Sequence, residues 1–288
     1  MSRLESVERL PGNFGVEVKG VDVPNLSDSE LQELLHTLYE NRVLVLRTSG
    51  LTKDEYVKFA RRVGDPIYLR ANPDDYPEIS IITNVNKDTA SEKRGAAHWH
   101  TDQSFKEEIS SATMLYSVQA PDSALYPKMG ETLFCNMAAA YEALPNETKD
   151  RIEDLVVEHR HGISVAARPG DHTPIPPKGW NQSTTVYHPL VKAHPITGQK
   201  TLYAISGTSQ GIVGMEQDEA KELLNELGNH AFQEQFITSH AHSTHDLVLW
   251  DNPTTMHSAT PIRAATGPQD TRLIHRISVR GMPSVFSQ

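Results

Sequence analysis

Residues 98–105 read His98-Trp99-His100-Thr101-Asp102-Gln103-Ser104-Phe105, so an imidazole and a carboxylate stand two positions apart. On an extended strand, residues i and i+2 share a face. His100 and Asp102 are therefore spaced to grip one metal ion. One further imidazole completes a two-histidine, one-carboxylate facial set, which leaves three coordination positions open for substrate chemistry. His257 follows a predicted strand and the polar turn Asp251-Asn252-Pro253-Thr254, where a side chain can be aimed into a barrel mouth. Neutral imidazole and carboxylate are suitable ligands for Fe(II). Three other histidine pairs have metal-compatible spacing: His98 with His100, His159 with His161, and His240 with His242. Packing at the surface or in the core is the plainer reading of each.

A second pattern lies near the end of the chain. Arg272 and Arg276 are four residues apart, so on a strand they share a face. A planar guanidinium makes bidentate, charge-assisted bonds to a carboxylate, and two on one face can serve two anions. The alternative is that they make surface salt bridges.

The elements that must position these groups are legible in outline. A loose alternation from Gly12 to Val23 predicts an early strand pair. Ser27-Asp28-Ser29-Glu30 and Thr52-Lys53-Asp54-Glu55 have capping-box form. The first opens a helix with Leu31, Leu34, Leu35 and Leu38 on one face. The second opens a helix carrying Tyr56, Phe59 and Val63, stopped by Gly64. Strands are predicted over Val43–Leu46, Ile79–Ile82, Thr113–Val118, Leu247–Trp250 and Leu273–Val279. Helices are predicted over Asn136–Leu144, Glu147–Val157 and Glu216–Leu227. The proline-rich run Pro169–Trp180 reads as a long irregular loop of the kind that forms lids, within an insertion around residues 160–185. Strands dominate the middle and end, which implies a β-rich, mixed α+β fold with a sheet core and flanking helices, rather than alternating βαβ units. No repeat or linker interrupts the chain, so one domain over residues 1–288 is expected.

The formal charge of −10 argues against nonspecific partnership with nucleic acid or an anionic membrane surface. The single cysteine, Cys135, allows no intrachain disulfide and fits a reducing compartment. The first residues are charged, and no apolar run approaches the length of a membrane span. A soluble, cytoplasmic protein is the expectation.

Several segments together resemble one family. Trp99-His100-Thr101-Asp102-Gln103-Ser104-Phe105 is similar to the metal motif of the taurine and 2,4-dichlorophenoxyacetate dioxygenases (TauD/TfdA). Gly130-Glu131-Thr132-Leu133-Phe134-Cys135-Asn136-Met137 resembles the same family, as do His188-Pro189-Leu190-Val191 with His194-Pro195-Ile196-Thr197-Gly198, Trp250-Asp251-Asn252 with His257, and Arg272-Leu273-Ile274-His275-Arg276. The resemblance implies a double-stranded β-helix, or jelly-roll, core and an Fe(II)- and 2-oxoglutarate-dependent oxygenase that uses O2 and releases succinate and CO2. By the same resemblance, His100, Asp102 and His257 hold the metal. Thr132 bonds the C1 carboxylate of 2-oxoglutarate, Arg272 binds its C5 carboxylate, and Arg276 faces an anionic group of a small organic substrate. His98, Tyr68, Tyr203 and Ser206 are candidates for the substrate pocket.

Two departures from the taurine enzyme qualify the substrate. The connection from His257 to Arg272 is longer, and Gly95-Ala96-Ala97 lacks the polar side chain that helps hold taurine. A bulkier or less polar substrate than taurine is implied. Hydroxylation is the expected reaction, with cleavage or desaturation as possible sequels, and a dimer or tetramer is the expected assembly. A non-catalytic metal-binding jelly roll and a zinc hydrolase using the clustered histidines are the alternatives.

Overall fold

Both capping boxes form, and they set the first two helices. Ser27 Oγ accepts the Glu30 amide at 3.3 Å while Glu30 Oε2 accepts the Ser27 amide at 2.9 Å, opening α1 (Asp28–Asn41). Thr52 and Glu55 repeat the exchange at 3.2 and 2.8 Å before α2 (Lys53–Val63). The structure, a computed structural model, describes residues 6–68, 76–85, 98–161, 184–205 and 207–286. The lid predicted over Pro169–Trp180 lies outside the described residues, as do Gly95–Ala97 and Ser206.

Both helices bury their apolar stripes against one face of an eight-stranded sheet. Its strands are β1 (Ser6–Arg9), β2 (Val16–Lys19), β3 (Val43–Arg47), β14 (Asp246–Asp251), β6 (Ala112–Gln119), β16 (Leu273–Arg280) and β4 (Asp65–Pro66), in that spatial order, with β5 (Ser80–Thr83) also on β16. Pairing is antiparallel except between β2 and β3. Alternation along each strand separates two cores. Leu44, Leu46, Met114, Tyr116, Leu247, Leu249, Ile277 and Val279 meet the helices. Val43, Val45, Leu115, Val248, Trp250 and Ile274 face the other way, onto Phe134. Phe134 belongs to a second, three-stranded sheet of β13 (Ile237–His240), β7 (Thr132–Asn136) and β15 (Thr255–Ala259). The outer face of that sheet, with Cys135 and Met256, is covered by α3 (Met137–Glu142) and α5 (Gln217–Ala231). The candidate metal ligands therefore lie between two sheets, each backed by helices.

The structure corrects the prediction in three places. The early strand pair is β1 with β2, with Gly15 turning at φ +88° where Leu10 N bonds Gly15 O. The helix predicted over Glu147–Val157 is shorter. It stops as α4 (Asn146–Ile152), and β-branched Val156 and Val157 enter β8 (Val156–His159), paired with β9 (Val186–Pro189). Strands β7 and β15 have no clear alternation in sequence, because both of their faces are buried. Among the described residues, no helix is long and apolar enough to cross a membrane.

These packing relations rank two substitutions. Leu34, fully buried under α1, is expected to cost roughly 2–5 kcal/mol when changed to Ala. Ser27→Ala removes only a helix cap and is expected to cost about 1 kcal/mol. Urea denaturation of both variants checks the order.

Candidate active site

His100 lies outside the named strands but is bonded directly to β15. Its amide donates to His257 O at 3.0 Å, and the His257 amide donates to His100 O at 2.9 Å. Residues that exchange both bonds in an antiparallel pair present their side chains on one face. The two imidazole rings accordingly sit 4.1 Å apart, centroid to centroid. Asp102 does not continue an extended strand, as the two-residue spacing suggested. Residues 102–105 form a turn, with Gln103 at φ +58°. The carboxylate reaches the imidazoles all the same: Asp102 Oδ1 is 3.8 Å from both His100 Nε2 and His257 Nε2. Ligand atoms of the three residues all lie within 4.8 Å of one another, and among the described residues no other group of three or more His, Cys, Asp or Glu side chains converges in this way.

The donor set fits a divalent metal. His100 Nδ1 is 2.9 Å from His98 O, and a carbonyl can only accept, so Nδ1 carries the proton and Nε2 presents its lone pair. Burial pushes the His100 imidazole down to about 3, with the charges of His257 and Arg276 acting in the same direction and Asp102 against them. His257 is pushed down to about 4, again chiefly by burial. Burial works against the Asp102 carboxylate, but Arg276, then the two histidines and Thr113, hold it below the usual carboxylate range. Two neutral imidazoles and one ionised carboxylate need lose no proton to bind a cation.

Asp102 is held from behind. Thr113 Oγ1 on β6 donates to Asp102 Oδ2 at 2.6 Å. Asn252 Nδ2 donates to Thr113 Oγ1 and to Ser110 Oγ, each at 2.9 Å, and Trp250 Nε1 donates to Asn252 Oδ1 at 2.9 Å. The Trp250 ring also lies 4.6 Å from the His257 ring. Asn252 stood inside a recognised motif without a role. Thr113 carried no signal, since threonine is an ordinary strand residue.

The arginines share a face, as their spacing required. Arg276 Nη2 is 2.6 Å from Asp102 Oδ1. Arg272 is 5% exposed, and among the described residues no carboxylate lies within ion-pair distance of it. Burial lowers its guanidinium to about 10. Its backbone is fixed by Asn84, whose Oδ1 accepts the Arg272 amide at 2.7 Å. The Nε groups of both arginines are buried without a hydrogen-bond partner among the described residues. Thr132 pairs with Ala259, two residues along β15 from His257, so the two side chains point to the same side of the small sheet. Its hydroxyl bonds His242 Nε2 at 2.9 Å.

The remaining candidates divide. The His98 ring stands 4.9 Å from that of His100, and its Nδ1 is buried without a partner among the described residues. Tyr203 is fully buried, its hydroxyl without a partner among the described residues and its titration pushed up by burial and then by the charge of Asp102. Tyr68 does not join them. It is 62% exposed and lines an open cleft beside α2 with Asp54, Arg61, Tyr76 and Glu78, none of which belongs to the triad. The other histidine pairs serve separate contacts: His161 packs on Phe105 at 4.5 Å, and His240 Nε2 bonds Asp246 at 3.0 Å.

The family described as "Taurine catabolism dioxygenase TauD, TfdA family" matches residues 6–278. The chain belongs to the TauD/TfdA family. A TauD/TfdA relative, the alpha-ketoglutarate-dependent 2,4-dichlorophenoxyacetate dioxygenase of Cupriavidus pinatubonensis, is 31% identical over 85% of this chain and 88% of its own length. Pentalenolactone F synthase of Streptomyces avermitilis is 28% identical, covering 96% of this chain and 94% of the relative. A crystal structure of a taurine dioxygenase from Burkholderia xenovorans superposes with a TM-score of 0.75 at 28% identity, over 96% of this chain and 90% of the other. As a TauD/TfdA protein, the chain is a 2-oxoglutarate-dependent dioxygenase whose cofactors are Fe(II), 2-oxoglutarate and O2.

Two outcomes follow from this geometry. Thr113→Val removes a donor to Asp102 at nearly constant volume, and it is expected to weaken Fe(II) binding by roughly 10–100-fold. Thr113→Ser should retain most of the affinity, as measured by anaerobic titration. Second, burial holds His98, His100 and His159 at about 3 and His257 at about 4, against 6.5 for the free side chain. Between those limits the unfolded chain binds protons that the native chain does not. Stability of the metal-free protein is therefore complete above pH 6.5 and is lost as pH falls toward 3–4. Denaturation free energies that are equal at neutral and at mildly acidic pH would contradict this.

Proposed function

We propose that this chain oxidises a C–H bond of a small anionic organic substrate, chiefly by hydroxylation, with cleavage or desaturation where the product is unstable. We read the facing sheets as the family's double-stranded β-helix core in a single domain, and the chain as a cytoplasmic homo-oligomer. The observation that carries the functional reading is the pair of guanidiniums beside the His100–Asp102–His257 set, Arg272 buried at the start of β16 and Arg276 half-buried on the same side of it, each with a buried Nε. A buried N–H without an acceptor costs free energy, and Arg272 and Arg276 each have such a group at Nε. Two anions arriving at this face would satisfy both.

The roles follow from position. His100 Nε2, Asp102 Oδ1 and His257 Nε2 hold Fe(II). Bound Fe(II) supplies the chemistry that couples decarboxylation of 2-oxoglutarate, giving succinate and CO2, to oxidation of the substrate by O2. Arg272, buried and without a carboxylate of its own, takes the C5 carboxylate of 2-oxoglutarate. Thr132 bonds the same diacid. A Cβ on Gly130 would lie 3.3 Å from Arg272 Cδ, and this proximity favours the C5 end for Thr132 over the C1 end. Arg276 keeps Asp102 ionised and offers its free Nε–H to the substrate's anionic group. Thr113, itself held by Asn252, donates to Asp102 Oδ2, so the carboxylate presents Oδ1 toward the two imidazoles, where Arg276 also reaches it. The covered faces of both sheets keep bulk water from the reacting atoms. The 2,4-dichlorophenoxyacetate for which a relative is named is a carboxylate on an apolar body, and a substrate of that character suits Arg276.

The test is succinate release by anaerobically purified protein given Fe(II), 2-oxoglutarate, O2 and a panel of carboxylates, sulfonates and sulfate esters. His100→Ala and Asp102→Ala are expected to abolish it. Arg272→Ala is expected to weaken 2-oxoglutarate binding by roughly thirtyfold or more, the lower end of what loss of a buried charge partner costs, with a smaller effect on the substrate. Arg276→Ala should show the opposite split. A reversed pattern would overturn the assignment of the two arginines.

A further inference from the structure

His242 is a buried titratable group that the roles above leave unused. It lies in the connection after β13, 5% exposed, and its ring spans the space between the two sheets. Nδ1 is 3.1 Å from Ser117 Oγ on β6 of the large sheet, and Nε2 is 2.9 Å from Thr132 Oγ1 on β7 of the small one. Burial first, and then the charges of His240, Arg272 and Arg47, keep it well below its ordinary range. It is therefore a neutral imidazole with one proton to place between two hydroxyls.

The placement of that proton decides what Thr132 can do. With the proton on Nδ1, Nε2 accepts the Thr132 hydroxyl hydrogen, and Thr132 then has no hydrogen for an anion. With the proton on Nε2, His242 donates to Thr132 Oγ1. The Thr132 hydroxyl hydrogen is then free to turn toward a carboxylate, and Nδ1 accepts from Ser117. Ser117 is fully buried, and its only side-chain partner among the described residues is His242, so its hydrogen has Nδ1 to go to. The buried Arg272 is near enough for its charge to act on His242, and it packs beside Gly130, two residues before Thr132, so an anion it draws in arrives at the Thr132 end.

We propose that His242 is a positioning residue for 2-oxoglutarate: as the Nε2–H tautomer it orients Thr132 so that the threonine hydroxyl donates to the cosubstrate carboxylate held by Arg272. The proposal rests on the functional reading above. It adds a residue that touches neither the metal nor the diacid and works through Thr132. The hydrogen bonds run in one direction, from Ser117 to His242 to Thr132 to the carboxylate, and each atom donates the one hydrogen it has.

The experiment has two arms. In the first, 15N–1H correlation spectra of the metal-free wild-type protein report the His242 tautomer. A proton on Nε2 is expected, and a proton on Nδ1 overturns the proposal even if no variant folds. In the second, 2-oxoglutarate is titrated anaerobically into Fe(II)-loaded protein and followed by the absorption band that forms when the keto acid joins the iron. His242→Leu is expected to weaken 2-oxoglutarate roughly tenfold, the scale of a lost hydrogen bond to a charged group, with Fe(II) affinity unchanged. His242→Gln, which restores an N–H donor, should recover most of the loss. On a Thr132→Val background, His242→Leu should add nothing. Unchanged 2-oxoglutarate affinity in His242→Leu, or a loss that adds in full to that of Thr132→Val, overturns the proposal. No band in the wild type would overturn the functional reading and this proposal together, and it is distinguishable because it precedes any substitution.

Discussion

Two backbone hydrogen bonds between His100 and His257 are the constraint on which the rest of the site depends. They join residues 157 positions apart in sequence into one antiparallel pair. Side-chain direction in such a pair is not adjustable: both imidazoles must leave on the same side. The turn after His100 has only to deliver a carboxylate into the space they share. The ligand set is thus preorganised by main chain rather than by long side chains, at little cost in rotamer entropy. The surrounding sheets largely shield the pair from water, and that burial keeps both imidazoles neutral, each with a nitrogen lone pair ready for a metal.

Dryness sets a second condition. Burying charge is costly unless it is paired. Asp102 meets the condition inside the chain, with Arg276 on one oxygen and Thr113 on the other. Arg272 does not meet it with any described carboxylate, and its amide is fixed by Asn84. The polar layer between the sheets is therefore complete around the metal ligands and incomplete beside Arg272. A fold that tolerates such a gap is less stable than it could be without it, which is the usual signature of a place kept for a ligand.

How much of this was legible in the sequence depends on the kind of signal. Capping boxes are local chemistry, and Ser27 with Glu30 and Thr52 with Glu55 fixed both helix starts. Helix α4 was misjudged because Val156 and Val157 are pulled into a ladder by a partner strand about 30 residues away, which no local pattern records. Asp102 was picked out by spacing, yet the extended geometry invoked for it is absent, and a turn does the work. Arg272 and Arg276 were legible because alternation on a strand is strict. Thr113 and His242 were not. A hydroxyl or an imidazole takes its role from atoms on other elements, and Thr113 owes its significance to Asn252, 139 positions away, and to Asp102 in the turn 11 positions before it, both brought to it only by the fold.

Strand β16 also acts as a ruler. Four residues of extended chain span about 13 Å, so the two guanidinium-bearing positions are separated by a length that loops elsewhere cannot alter. The ladder with β6 shifts register between Leu273 and Ile274, so the irregularity falls between the arginines without changing which side they occupy. Loss or gain of one residue there would send one of them to the helix-covered side. On the roles proposed for the two arginines, evolution of new specificity in this scaffold is free to vary what hangs from an anionic group, but not how far that group stands from the keto acid.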